Sequence, residues 1–150
     1  AAAISLTCVS AAFANGIFEN TEVYLNGEKQ AETITVTQID GSTLVPIRPV
    51  WNLFNLKLEW DGMRKRVTAT TAIGNIIFGL GVNIAAKNGN SPYVMKTYPR
   101  LLDGQTMIPI DFAADCVGKT IQYIDSTESL MINSKGERTN NEIQNIHRSN

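Results

Sequence analysis

The sequence has little histidine, little cysteine and almost no net charge. Its one histidine is His147, and a metal centre built on imidazole ligands needs several. The same scarcity excludes a hydrolytic triad at Ser126, Thr127 and Glu128, because the histidine lies in the polar end of the chain. We therefore expect no enzyme activity, no metal and no cofactor.

The net charge of −1 also limits the class of partner. Basic residues cluster only at Arg64, Lys65 and Arg66, a run too short to follow a phosphate backbone. A solvated turn explains this cluster, and we expect no nucleic-acid partner.

No apolar run is long enough to span a bilayer, which needs about 20 residues. Residues 1–14, AAAISLTCVSAAFA, carry no charge and end in small residues. They are typical of the end of a secretory signal, cleaved before Asn15, and predict an exported protein without a membrane span. A β-strand remains the alternative, because Ile4, Leu6 and Cys8 alternate with polar residues.

The two cysteines, Cys8 and Cys116, give two outcomes. If residues 1–14 are removed, Cys116 is a lone thiol, and its place beside Val117 on an apolar helical face predicts a buried side chain. If they are retained, a Cys8–Cys116 disulfide becomes possible within or between chains.

One stretch organises the chain: residues 40–61, DGSTLVPIRPVWNLFNLKLEWD. Its pattern predicts a strand, a short helix with an apolar face at Val50, Leu53 and Phe54, and a second strand. A variant returns 63 positions later: Asp40, Gly41, Thr43, Pro46 and Ile47 correspond to Asp103, Gly104, Thr106, Pro109 and Ile110. The corresponding helix face is Ala113, Cys116 and Val117, and the helix ends are marked by Asn55 and Gly118.

This duplication predicts an α+β domain over residues 15–135, made of two repeats at about 22–70 and 71–133. Each repeat contributes antiparallel strands and one short helix, with hairpin turns at Asn26-Gly27 and Asn88-Gly89. We expect one continuous core, with both helices packed on one continuous sheet. Residues 136–150 are polar and predict a tail or linker.

The phrase DGSTLVPIRPVWNLFN–LKLEWD, followed by an Asn-Gly turn and DGQTMIPIDFAADCVG–KTIQY, resembles the copper amine oxidase N-terminal-like domain, also called a stalk domain. The resemblance covers roughly residues 23–133. It implies a small α+β fold, common in exported and wall-associated proteins of Gram-positive bacteria. It implies no copper here, because the copper and the tyrosine-derived quinone of amine oxidases belong to a separate catalytic domain.

Residues that the second copy does not keep are the candidates for function. Arg48 and Trp51 are replaced by Asp111 and Ala114, so Arg48 and Trp51 are the candidate partner-binding residues, Trp51 on condition that it is exposed. We expect Arg48 to hydrogen-bond the sheet and Asp111 to favour the positive end of its helix.

Other candidates have simpler explanations. Trp60 and Tyr123 alternate with polar neighbours and are expected in the core. Asp111 and Asp115 are expected on a solvated helix face, because two carboxylates are too few for a hard cation.

We therefore predict an exported, non-catalytic structural or binding module of the bacterial cell envelope, secreted or wall-associated. Its expected partner is a cell-wall polymer or another exported protein. The alternatives are a filament subunit joined through its N-terminal strand and, with less support, a small envelope hydrolase.

Overall fold

The computed structural model describes residues 15–135. The predicted signal at 1–14 and the predicted tail at 136–150 lie outside this range. The strands are β1 (Gly16–Leu25), β2 (Glu28–Lys29), β3 (Ile34–Ile39), β4 (Ser42–Pro46), β5 (Leu58–Asp61), β6 (Arg66–Thr71), β7 (Gly74–Gly79), β8 (Ile84–Lys87), β9 (Ser91–Val94), β10 (Arg100–Leu102), β11 (Gln105–Pro109), β12 (Lys119–Ile124) and β13 (Ser129–Ser134). The helices are α1 (Ile47–Leu53), between β4 and β5, and α2 (Ile110–Val117), between β11 and β12.

The strands form two sheets, so the expectation of one continuous sheet is wrong. The larger sheet has eight strands, in the order β10-β11-β4-β3-β1-β13-β12, with β2 paired to β1. The smaller sheet has five strands, in the order β5-β6-β7-β8-β9. The division arises because β13 pairs directly with β1, whereas the corresponding β6 continues through successive hairpins into β7, β8 and β9.

Hairpin turns occur at the Asn-Gly pairs, as predicted, and also at the two Asp-Gly pairs. Asp40 and Gly41 have φ of 50° and 79°, and Asp103 and Gly104 have φ of 52° and 79°. Both residues of each pair are therefore in the left-handed region that a tight two-residue turn requires, which glycine adopts without a steric penalty.

The helices begin and end at the predicted places. The residues before them are Pro46 and Pro109, whose missing N–H group costs nothing at a helix start. Gly118 caps α2 with φ 70°, and Asn55 follows α1 with φ 54°. These left-handed residues turn the chain out of each helix into β5 and β12.

Strand pairing has the same register in both halves under the 63-residue shift. Trp60 pairs with Val67 in the β5–β6 hairpin, as Tyr123 pairs with Leu130 in the β12–β13 hairpin. Where the halves meet, Val45 of β4 pairs with the residue 63 positions later, Ile108 of β11. Leu44 pairs with Pro109 and Pro46 with Met107, so the junction is symmetric about the Val45–Ile108 pair. The organisation into two repeats stays a prediction.

One cluster of buried side chains connects both halves and both helices, as predicted. Cys116 is buried in it, as its apolar helical position indicates. Tyr123 packs against the cluster and against the ring of Phe18, with centroids 5.7 Å apart. Trp60 does not follow the prediction, because it is 50% exposed. It lies on β5, an edge strand of the smaller sheet, so one side of the indole faces solvent.

Candidate functional site

The two residues chosen as candidates from the sequence lie on α1 but in opposite environments. Arg48 is exposed, and within residues 15–135 its guanidinium makes no hydrogen bond or ion pair. The expected hydrogen bonds from Arg48 to the sheet are therefore not formed there. The side chain remains available to a partner.

Trp51 has no exposed surface and is the largest of the fully buried side chains. Its Nε1–H donates a 3.0 Å hydrogen bond to the backbone carbonyl of Thr70 on β6. The bond satisfies the polar end of a buried indole and ties α1 to the smaller sheet. The partner-binding role predicted for Trp51 required an exposed side chain. Because Trp51 is buried, it is a core residue instead.

A pocket opens beside α1, and we call it the α1 pocket. Its volume is about 320 Å³. The side chains that line it come from β1, β3 and the segment before it, α1 and β13: Val23, Gln30, Ala31, Glu32, Thr33, Ile34, Pro49, Val50, Asn52, Leu53 and Leu130. Val23, Ile34, Val50 and Leu130 are buried and form an apolar floor.

The rim of the α1 pocket is polar but almost uncharged. Asn52, Glu32 and Thr33 are exposed there, and Glu32 is the one charged residue among the lining side chains. The Gln30 Nε2 donates a 3.0 Å hydrogen bond to the carbonyl of Glu28, which draws its side chain towards the β1–β2 turn. An apolar floor with a few amide and hydroxyl groups is typical of a binding pocket.

The corresponding face of the second half is filled by an aromatic cluster, Phe78, Tyr93 and Phe112. The ring centroids of Tyr93 and Phe112 lie 5.2 Å apart, and those of Phe78 and Phe112 lie 5.5 Å apart, both edge-on. The Tyr93 hydroxyl donates a hydrogen bond to Asp115 of α2. Burial raises the pKa of Tyr93, and the hydrogen bond to the Asp115 carboxylate raises it further.

The two carboxylates of α2 have separate partners. Asp111 is exposed in the first turn of the helix, as predicted, and lies 3.1 Å from the Lys96 ammonium. Asp115 accepts the Tyr93 hydroxyl. Both groups thus hold the segment around β9 against α2, and neither points to a shared cation.

The donor set does not fit a copper site in the described part of the chain. No group of three histidine, cysteine, aspartate or glutamate side chains is close enough to hold a metal there. Cys116 is buried among apolar side chains, and this burial raises its pKa, which disfavours the thiolate that binds metals. His147 lies outside the described residues.

Sequence reasoning missed the α1 pocket because its lining residues form no motif. A signal was nevertheless present in the 63-residue shift. Tyr93 and Phe112 correspond to Gln30 and Pro49, so two aromatic positions of the second half are not aromatic in the first.

Within residues 15–135, neither helix has the length and apolarity needed to cross a membrane. A family model described as the copper amine oxidase N-terminal domain matches residues 20–132. No curated protein and no solved structure matches the chain significantly.

Proposed function

Because the chain belongs to the copper amine oxidase N-terminal domain family, a non-catalytic domain of amine oxidases, we propose that it is an exported structural or binding module of the bacterial cell envelope. Its proposed partner is a cell-wall polymer or another exported protein. The proposal assigns the chain no reaction of its own.

The α1 pocket is the observation that carries this proposal. It offers an apolar floor with amide groups and the Thr33 hydroxyl at the rim, and its one carboxylate, Glu32, has no second titratable partner in the lining. General acid–base catalysis needs groups whose pKa values are matched to proton transfer. Such a pocket is suited to holding a ligand without converting it.

Arg48 adds a charged contact beside the pocket. It precedes Pro49, which lines the pocket, and its exposed guanidinium is available for a carboxylate or a carbonyl of a partner. We assign to it the outer, charged part of the binding surface.

The test is co-sedimentation of the full chain with purified cell-wall material, together with pull-down from an exported-protein fraction. We expect retention that weakens in Arg48→Ala and is unchanged in Arg66→Ala, an exposed arginine on the smaller sheet. Equal retention of both variants would remove Arg48 from the surface. No retention by either material would overturn the proposed function.

A filament subunit is the second candidate, favoured by a groove of about 610 Å³ that begins at Asn15. Ile17, Ile39 and Leu102 line it, and residues 1–14 join the chain at its edge. Ile17 is 68% exposed and gives the groove an apolar side chain. Intact-mass analysis of the native protein separates the candidates: a chain beginning at Asn15 supports the exported module, and retention of residues 1–14 supports the filament.

A further inference from the structure

The walls of the α1 pocket and of the aromatic cluster correspond under the 63-residue shift, except that Val23 precedes its counterpart Ala85 by 62 residues, because the turn that follows the strand is one residue longer in the second half. Gln30 lies opposite Val23. The backbone N–H of Gln30 donates a 2.8 Å hydrogen bond to the backbone carbonyl of Val23. Tyr93 pairs with Ala85 in the same way. On the helices, Pro49, Val50, Asn52 and Leu53 correspond to Phe112, Ala113, Asp115 and Cys116.

In the second half, aromatic rings fill the space that these walls enclose. Tyr93 packs on Phe112, Phe112 packs on Phe78, and the Tyr93 hydroxyl reaches Asp115 at the edge of α2. The arrangement is a phenol ring on an apolar base with its O–H directed to a side-chain oxygen.

In the first half, all three ring positions lack an aromatic residue. Gln30 replaces Tyr93 and turns towards the β1–β2 turn, and Pro49 replaces Phe112. Leu130 of β13 pairs with Val23, so it takes the place beside β1 that Phe78 of β7 takes beside β8, although Leu130 corresponds to Val67 under the 63-residue shift. The space that the rings occupy in one half is therefore open in the other.

We propose that the α1 pocket binds a tyrosine side chain presented by a partner protein, in the position that Tyr93 occupies in the second half. The phenol ring packs on the Val23, Val50 and Leu130 floor. Its hydroxyl donates to the Oδ1 of Asn52, the counterpart of Asp115. This inference rests on the proposed function as a binding module and names the group that it recognises.

The chemistry of the rim selects the uncharged phenol. Asn52 offers an acceptor to a hydroxyl, so a phenylalanine ring would leave this group without the bond that tyrosine supplies. The acceptor on Asn52 therefore favours tyrosine over phenylalanine.

The test titrates the isotope-labelled full chain with a blocked Gly-Ser heptapeptide that carries one central tyrosine. We expect saturable shifts of the Val23, Val50 and Leu53 methyl signals. The matched phenylalanine peptide is expected to bind about 2- to 10-fold more weakly, the net worth of one hydrogen bond. No methyl shift at millimolar peptide, or equal binding of both peptides, would overturn the inference.

Two variants locate the binding. Pro49→Phe places the residue of the second half in the pocket and is expected to abolish the shifts, whereas Lys57→Phe adds a ring at an exposed position and leaves them unchanged. Asn52→Leu changes an exposed side chain, so the fold is kept, and it is expected to remove the preference for tyrosine over phenylalanine. Binding by Pro49→Phe equal to the wild type would contradict the inference.

Failure of the tyrosine inference can be distinguished from failure of the proposed function. Retention by cell-wall material or exported proteins without tyrosine-peptide binding overturns the inference and leaves the binding module standing. Retention that is lost in Pro49→Phe and kept in Lys57→Phe supports both.

Discussion

The indole Nε1 of Trp51 on α1 and the backbone carbonyl of Thr70 on β6 are joined by a 3.0 Å hydrogen bond. The bond connects the first helix to the smaller sheet, while the same helix packs on β4 and β11 of the larger one. Trp51 therefore lies where both sheets and α1 meet.

We expect Trp51→Phe to lower the free energy of unfolding by about 1–3 kcal/mol, because it removes the hydrogen bond to the Thr70 carbonyl and part of a fully buried, packed ring. Urea denaturation measures the change. Trp60→Phe is the matched control, and its 50% exposure predicts a change within about 0.5 kcal/mol. Similar losses in both variants would contradict the burial of Trp51.

The two Asp-Gly turns provide a prediction about backbone strain. Gly41 and Gly104 both have φ of 79°, and no atom lies within 4 Å of the position where a Cβ would be placed. We expect Gly41→Ala and Gly104→Ala each to cost about 1 kcal/mol, because a non-glycine residue is strained in the left-handed region. Thermal or urea unfolding measures the cost. Gly62→Ala, where φ lies outside that region, should cost clearly less, and an equal cost would contradict the strain explanation.

The contact between β9 and α2 contains a hydrogen bond from the half-buried Tyr93 and an exposed ion pair. Tyr93→Phe removes the hydroxyl that binds Asp115, and we expect a loss of about 1–2 kcal/mol in unfolding free energy. Lys96→Ala removes an exposed ion pair to Asp111 and is expected to cost less than about 1 kcal/mol. Urea denaturation of the two variants compares the costs, and a larger loss for Lys96→Ala would contradict this ranking.

Alkaline pH is expected to destabilise the fold through Cys116. Burial raises the pKa of this thiol in the folded chain, and the Asp115 carboxylate raises it further. Because the pKa of the thiol is higher in the folded chain, its contribution to stability is fully present below the pKa of the unfolded thiol, about 8.5. Above that pH the unfolded thiol ionises first, and this contribution is lost. The window is therefore above about pH 8.5.

The measurement compares Cys8→Ser with the double variant Cys8→Ser/Cys116→Ala by urea denaturation at several pH values. Between about pH 8.5 and 9.5, the single variant is expected to lose about 1 kcal/mol more than the double variant, the ionisation cost of one thiol. Parallel pH profiles would show that Cys116 ionises equally in both states.

Much of the local structure follows from short patterns in the sequence. Asn26-Gly27 and Asn88-Gly89 form the predicted turns, Pro46 and Pro109 immediately precede the helices, and Gly118 ends one. These positions are predictable because backbone sterics at glycine and proline depend on neighbours in the chain and not on tertiary contacts.

Burial of the tryptophans was not predictable in the same way. Trp51 lies off the apolar face of α1 as read from the sequence, yet a second sheet covers it, because β6 lies close enough to accept its N–H. Trp60 alternates as a core residue does, yet its strand is at an edge. Periodicity describes one face of one element, whereas burial depends on which elements are its neighbours.

The α1 pocket required both levels of information. The sequence contains the exchange of Tyr93 and Phe112 for Gln30 and Pro49, but a cavity exists only where the surrounding side chains do not fill the space. Arg48 was identified from the same comparison of copies, and the structure leaves its guanidinium exposed.

The first strand constrains when the protein can finish folding as it is synthesised. β1 pairs antiparallel with β3 through its first half and parallel with β13 through Glu22 to Leu25. The second pairing joins the beginning of the fold to Ser129–Ile132, near the end of the described chain. A nascent chain emerges N-terminus first, so half of β1 waits without β13 until almost the whole domain has been synthesised. Contacts this distant in sequence also slow folding.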